Sequence, residues 1–199
     1  ESLSTDPSHF SFIVEWAQVI AGAMAVGLPI SSEVRRNLIH ELRERFYVAD
    51  QGFLAAARPY LESHDQQLDP EVYATYFGLF VASTLGEVLS DAELVAIRGW
   101  LAGQEHEGGY YNRAVSATAE TYRKQAELTF QSLCALKAFC LLDELKISGP
   151  AVSDRLAQHF RTQLAAFAAL SPRYHAALYI LLRDRVAFCG PEARELAEH

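Results

Sequence analysis

The sequence predicts an all-α fold of repeated inner and outer helix pairs, on three observations. Two kinds of helical segment alternate along the chain, one apolar on nearly every face and one amphipathic and charged. Glycine-marked corners follow the charged segments at a regular interval. No segment shows the period-2 alternation of a half-buried strand, and no stretch is of low complexity.

The first apolar segment is Phe12–Gly27. Within the run at 10–28, Glu15 and Gln18 interrupt a length that would nearly span a bilayer, and charge inside a bilayer is costly. A basic region of the kind that opens a signal peptide is missing too. A buried core helix fits this segment better, and no transmembrane segment is expected. Ser31–Phe46 is the first charged helix, with Ser31 placed to cap it. Gly52-Phe53 follows as its corner, and Ser63–Pro70 is expected to be the most flexible connection. Asp65, Asp69 and Glu71 flank this turn and are expected to cap.

Val72–Gly86 is the second apolar segment, and Ser90–Gln104 the second charged one. Ser90 with Glu93 makes a capping-box pattern, and Leu94, Ile97 and Leu101 make one apolar stripe. Gly108-Gly109-Tyr110-Tyr111 forms the next corner, and Gln125–Leu142 the third apolar segment. Ser153–Phe167 and then Arg173 to about Phe188 continue the alternation, and Gly190-Pro191 repeats the Gly149-Pro150 signal. Gly52 to Gly109 is a spacing of 57 residues, and Thr75 to Thr129 one of 54. An apolar rod exposed to water on every side is unstable, so the charged helices are expected to cover the apolar ones from outside.

Composition narrows the function. The chain has 199 residues, half of them hydrophobic, which suffices for one domain with a substantial core over 1–199. A formal charge of -8 argues against general nucleic-acid binding, which relies on basic patches. The odd count of three cysteines, Cys134, Cys140 and Cys189, reads as reduced thiols in a cytoplasmic setting rather than as a disulfide framework. Cys134 and Cys140 are expected in the core as small hydrophobes. No zinc-spaced Cys/His set, phosphate loop or nucleophile elbow occurs, so no metal or cofactor is expected.

TYFGLFVASTLG, WLAGQEHEGGYYN and LTFQSLCALKAFCLLDE resemble the repeat of protein prenyltransferase beta subunits and squalene-type terpenoid cyclases. The resemblance is clearest over residues 50–146. It implies an αα-toroid with an apolar cavity lined by the inner helices. The chain offers about four helix pairs, fewer than a closed ring needs, so a partial or open toroid is expected. The cyclases' DxDD motif and the DDxxD magnesium motif are absent. Tyr174-His175 matches the last element of the prenyltransferase zinc set, but no Asp-x-Cys precedes it.

The residue types suggest where chemistry would sit. Arg123 and Lys124, at the start of the third apolar helix, suit an anion such as a diphosphate; pairing with Glu120 is the plainer alternative. Glu120 and His175 are the candidate proton carriers. Tyr76, Tyr110, Tyr111, Tyr122 and Tyr174 are candidates to contact substrate, within an aromatic set that includes Tyr73, Phe77 and Phe130. The same rings serve equally as core bulk. Two functions follow. One is an enzyme of isoprenoid or terpenoid metabolism, by prenyl transfer or cyclisation, acting on a long hydrophobic substrate. The other is a non-catalytic scaffold or binding module for a lipid, a peptide, a partner subunit or a second copy of the chain.

Overall fold

A computed structural model describes residues 10–86, 89–106, 109–110 and 122–150, with the side chains of 122–129 outside that description. The described chain is mainly helical. Helix α1 spans Ile13–Ala25 and α2 Ser32–Phe46; strands β1 (Tyr47–Val48) and β2 (Gly52–Phe53) follow. Then come α3 (Arg58–Ser63), α4 (Val72–Leu85) and α5 (Asp91–Ala102). Strands β3 (Glu105–His106) and β4 (Gly109–Tyr110) precede the last described helix, α6 (Tyr122–Glu144). The inferred segments at 153–167 and 173–188 lie outside the described residues.

Local sequence explains the helix ends. The Phe12 amide donates to the Glu15 carboxylate at 3.1 Å, tying down one of the free N–H groups before α1. That helix closes with Leu28 N–H on the Ala23 carbonyl and Gly27 N–H on the Met24 carbonyl. This closure needs a left-handed residue, which Gly27 supplies at φ 69°. Ser31 caps α2 by accepting from the Val34 amide at 3.2 Å. Ser90 and Glu93 form the full capping box of α5, with the Ser90 amide 2.7 Å from the carboxylate. Glu71 occupies the N-cap position of α4, but its side chain makes no capping hydrogen bond. Helix α6 closes in the same pattern as α1, with Ile147 N–H on the Leu142 carbonyl and Lys146 left-handed at φ 59°.

Helix α4 lies between α1 and α6, with α2 against α4 and α5 against α6. The apolar helices therefore meet one another, and the charged helices pack on them. Trp16, Phe46, Phe53, Phe139 and Tyr110 are among the largest fully buried side chains. Each large side chain so buried contributes on the order of 1.5–3 kcal/mol before chain entropy is set against it. Helix α1 buries one stripe, Ile13, Trp16, Ala17, Ile20 and Ala23. Its remaining face and the turn after it stay exposed, with Met24, Val26 and Leu28 open to water.

The glycine corners are two-residue antiparallel ladders, too short to leave a period-2 pattern in the sequence. In the first, Tyr47 pairs with Phe53 and Val48 with Gly52; in the second, Glu105 pairs with Tyr110 and His106 with Gly109. Each ladder is anchored to the next apolar helix by the same contact. The Phe53 amide donates to Thr75 Oγ1 at 3.1 Å, and the Tyr110 amide to Ser132 Oγ at 2.9 Å. Both anchors join residues 22 apart. The partner of Thr75 across the repeat is thus Ser132, not Thr129, and the repeat runs at 57 residues in the helices as well as in the corners. The 54-residue pairing matches hydroxyls by residue type; the hydrogen bond selects the one that faces the hairpin. Gly52 is required at this anchor, because a methyl group there would overlap Thr75 Oγ1.

Candidate functional site

Helices α4 and α6 each keep one face only partly buried, and that face is rich in aromatic side chains. Along α4 every residue is buried except Tyr73, Tyr76, Phe80, Ser83 and Thr84. Steps of three and four put these on one side of the helix. Along α6, from Phe130 to Leu142, every residue is buried except Phe130, Lys137 and Leu141. The 57-residue register sets Tyr73 against Phe130, Phe80 against Lys137 and Thr84 against Leu141, while Tyr76 and Ser83 fall against the buried Leu133 and Cys140, so the faces correspond in part. They also touch, since the Tyr73 and Phe130 rings lie 6.1 Å apart. On α4, Tyr76 packs against Phe77 at 5.1 Å and Phe80 at 6.5 Å between ring centres. Three rings on one helix joined to a fourth on the next make a platform for an apolar molecule.

Lys137 is the only charged residue of α4 or of the stretch of α6 from Phe130 to Leu142. It stands one turn after Cys134, whose thiol is fully enclosed. Burial pushes the Cys134 thiol well above its ordinary pKa, while the Lys137 ammonium pulls the other way.

A second polar centre joins α5 to the end of α6. Arg98 is only 4% exposed. Its Nε donates to the Pro150 carbonyl at 2.8 Å, and its Nη1 to Asp143 Oδ1 at 2.6 Å and the Ile147 carbonyl at 3.0 Å. The guanidinium also lies 5.6 Å from the centre of the Phe139 ring. This arginine holds the chain reversal after α6, where the last carbonyls of a helix need donors. Outside it, Arg43 of α2 pairs with Glu93 of α5 at 2.7 Å. Burial raises the pKa of the Glu93 carboxyl, but hydrogen bonds from Ser90 and Arg43 outweigh that and hold it below its ordinary value. Tyr47, beside them, is pushed up by burial, with the Asp50 backbone opposing.

No known family, curated protein or solved structure matches this chain.

The structure separates the residues singled out in the sequence. Tyr76 is on the open face, half-buried. Tyr110 is 1% exposed and turned into the core, edge-on to Phe139 at 5.6 Å; its role is to anchor the hairpin. Tyr122, Arg123 and Lys124 fall in the first turn of α6, and their side chains are outside the described set. Tyr111, Glu120, Tyr174 and His175 lie outside the described residues altogether. Cys134 and Cys140 are buried, as expected of small core hydrophobes. Among the described residues no group of three or more His, Cys, Asp or Glu side chains is placed to hold a metal ion, and no helix is long and apolar enough to cross a membrane. Phe80, Lys137 and Leu141 were missed in the sequence. Their signal is faint, because helices apolar all round do not reveal which face their neighbours leave open.

Proposed function

We propose that the chain binds a long apolar molecule of the isoprenoid class along the open face of α4 and α6, as an enzyme of isoprenoid or terpenoid metabolism. The observation that carries this reading is the run Tyr73, Tyr76 and Phe80, continued by Phe130, left partly exposed in helices most of whose other described residues are buried. A row of rings offers dispersion contact to a flexible chain. Its electron-rich faces also stabilise positive charge developing on an isoprenoid carbon. The resemblance to prenyltransferase and cyclase repeats points the same way, through an αα-toroid whose inner helices line the cavity. Glu120 and His175 are then the groups to carry protons, and Arg123 and Lys124 the groups to meet a diphosphate.

A second reading, a binding module without chemistry, is favoured by one observation. The open face contains no carboxylate or imidazole among the described residues. Calorimetric titration of the chain with farnesol and farnesyl diphosphate tests both readings. Binding of either, weakened about fivefold to 150-fold by Tyr76→Ala or Phe80→Ala, supports the face, taking one aromatic contact as roughly 1–3 kcal/mol. Release of diphosphate on incubation, lost in Glu120→Gln or His175→Ala, separates the enzyme from the module. Absence of binding to any isoprenoid removes both in their isoprenoid form.

A further inference from the structure

The end of α1 and the turn into α2 present six consecutive exposed residues without a polar side chain, Met24-Ala25-Val26-Gly27-Leu28-Pro29. Three of them are large apolar groups open to water: Met24 is 57% exposed, Val26 71% and Leu28 40%. A turn between helices is ordinarily polar, and exposed apolar clusters mark contact sites. No charged residue occurs between Trp16 and Ser32, whereas the turns after α4 and α6 contain Glu87 and Lys146. The backbone here is fixed, with Leu28 N–H on the Ala23 carbonyl, Gly27 N–H on the Met24 carbonyl and Gly27 left-handed. Two exposed arginines, Arg35 and Arg36, follow one turn into α2. Neither has a hydrogen-bond or ion-pair partner among the described residues. Glu33 precedes them in the first turn of α2, where the helix dipole answers its charge.

We propose that this turn is an interfacial membrane anchor. Met24, Val26 and Leu28 enter the headgroup boundary of a bilayer, and Arg35 and Arg36 meet the phosphates of anionic lipids. An apolar tip followed by cations suits a surface that is apolar within and negatively charged outside. The chain lies on the bilayer here and does not cross it: α1 has 13 residues, about 20 Å at 1.5 Å per residue, against roughly 30 Å of hydrocarbon. A second copy of the chain fits the same surface less well, because a two-fold contact at this turn brings the arginines of one copy toward those of the other. The anchor goes beyond the isoprenoid reading and does not depend on it.

The test is flotation of the full chain with vesicles of phosphatidylcholine, and of phosphatidylcholine mixed with phosphatidylglycerol, both free of isoprenoid. The chain should float with the mixed vesicles. Val26→Asp should weaken that binding at least about tenfold, as several apolar carbons withdrawn from the boundary imply. Arg35→Gln and Arg36→Gln should each weaken it about fivefold. All three positions are exposed, so the urea midpoint of each variant should stay where it is. Val26→Cys gives a second measurement: a maleimide should label it fast in the free chain and slowly once mixed vesicles are added. No flotation, flotation unmoved by Val26→Asp, or equal flotation with phosphatidylcholine alone overturns the anchor. So does slow labelling of Val26→Cys without vesicles, which would show the turn covered within the chain or by a second copy. Failure of these vesicle experiments leaves the aromatic face standing, and failure of the farnesol titration leaves the anchor standing.

Discussion

Arg98→Met should be among the most destabilising single changes in the chain, and the structure sets its size. The side chain is enclosed and makes three hydrogen bonds, two of them to carbonyls of the turn that ends α6. Methionine fills much of the same volume, so little of the loss comes from a cavity. What is lost is the donor. The buried Ile147 carbonyl is left without it where water replaces it poorly, at roughly 1–2 kcal/mol, whereas the carbonyl of exposed Pro150 returns to water at below about 1 kcal/mol. Asp143 is different. Its side chain is 54% exposed and returns to water when the arginine goes, so its share is below about 1 kcal/mol. Packing of the guanidinium on Phe139 adds about 1 kcal/mol more. The total is about 2–5 kcal/mol, a large part of the 5–15 kcal/mol that holds an ordinary domain folded. Urea unfolding followed by circular dichroism measures it, with Asp143→Asn as the internal comparison. A loss under about 1 kcal/mol for Arg98→Met, or one no larger than that of Asp143→Asn, would refute the view that Arg98 ties α5 to the end of α6.

Other consequences follow from the same packing. Gly78→Ala places a methyl group into the Phe53 ring and should cost about 1–3 kcal/mol in the same urea experiment, whereas Gly22→Ala, with open space around it, should stabilise slightly. The Glu93 carboxyl is held below its ordinary pKa, so its contribution is complete above the unfolded value near 4.3 and disappears as pH falls through the lower folded value. Glu93→Gln should therefore lower stability near neutral pH by a fraction of a kcal/mol and flatten the acid limb of the stability profile. Cys134 is enclosed and its thiol is shifted well up, so a thiol reagent should leave it unmodified in the native chain and label it only in denaturant, as read by peptide mass.

Much of the fold could be read from residues whose effect is local. Ser31 and Ser90 announce their helices because a cap depends on a hydroxyl and an amide three residues away. The apolar segments at Val72 and Gln125 announce themselves by composition. Helix α3 was missed because it is six residues long and buries only Leu61, too little to leave a period. The pairing of Thr75 with Ser132 was missed because it is fixed by a hydrogen bond to a hairpin 22 residues upstream, and resemblance between neighbouring hydroxyls pointed to Thr129 instead. The candidate site was harder still. In α4 nothing in the alternation of residues distinguishes Tyr76, which stays open, from Phe77, which does not. That difference is decided by which sides α1, α2 and α6 occupy. Arg123 and Lys124 stand out as a charge pair at a helix start, while Lys137 stands singly among apolar residues and leaves no comparable signal.

The account rests on one unit occurring twice: a charged helix, a two-residue ladder, and an apolar helix whose hydroxyl receives the ladder's amide. Amide hydrogen exchange at Phe53 and Tyr110, in the native chain and in Thr75→Val and Ser132→Ala, addresses it most directly. Both amides should be protected in the native chain, and each variant should lose protection at its own hairpin while sparing the other. Fast exchange at either amide in the native chain, or a Ser132→Ala variant whose Tyr110 amide stays as protected as before, would contradict it.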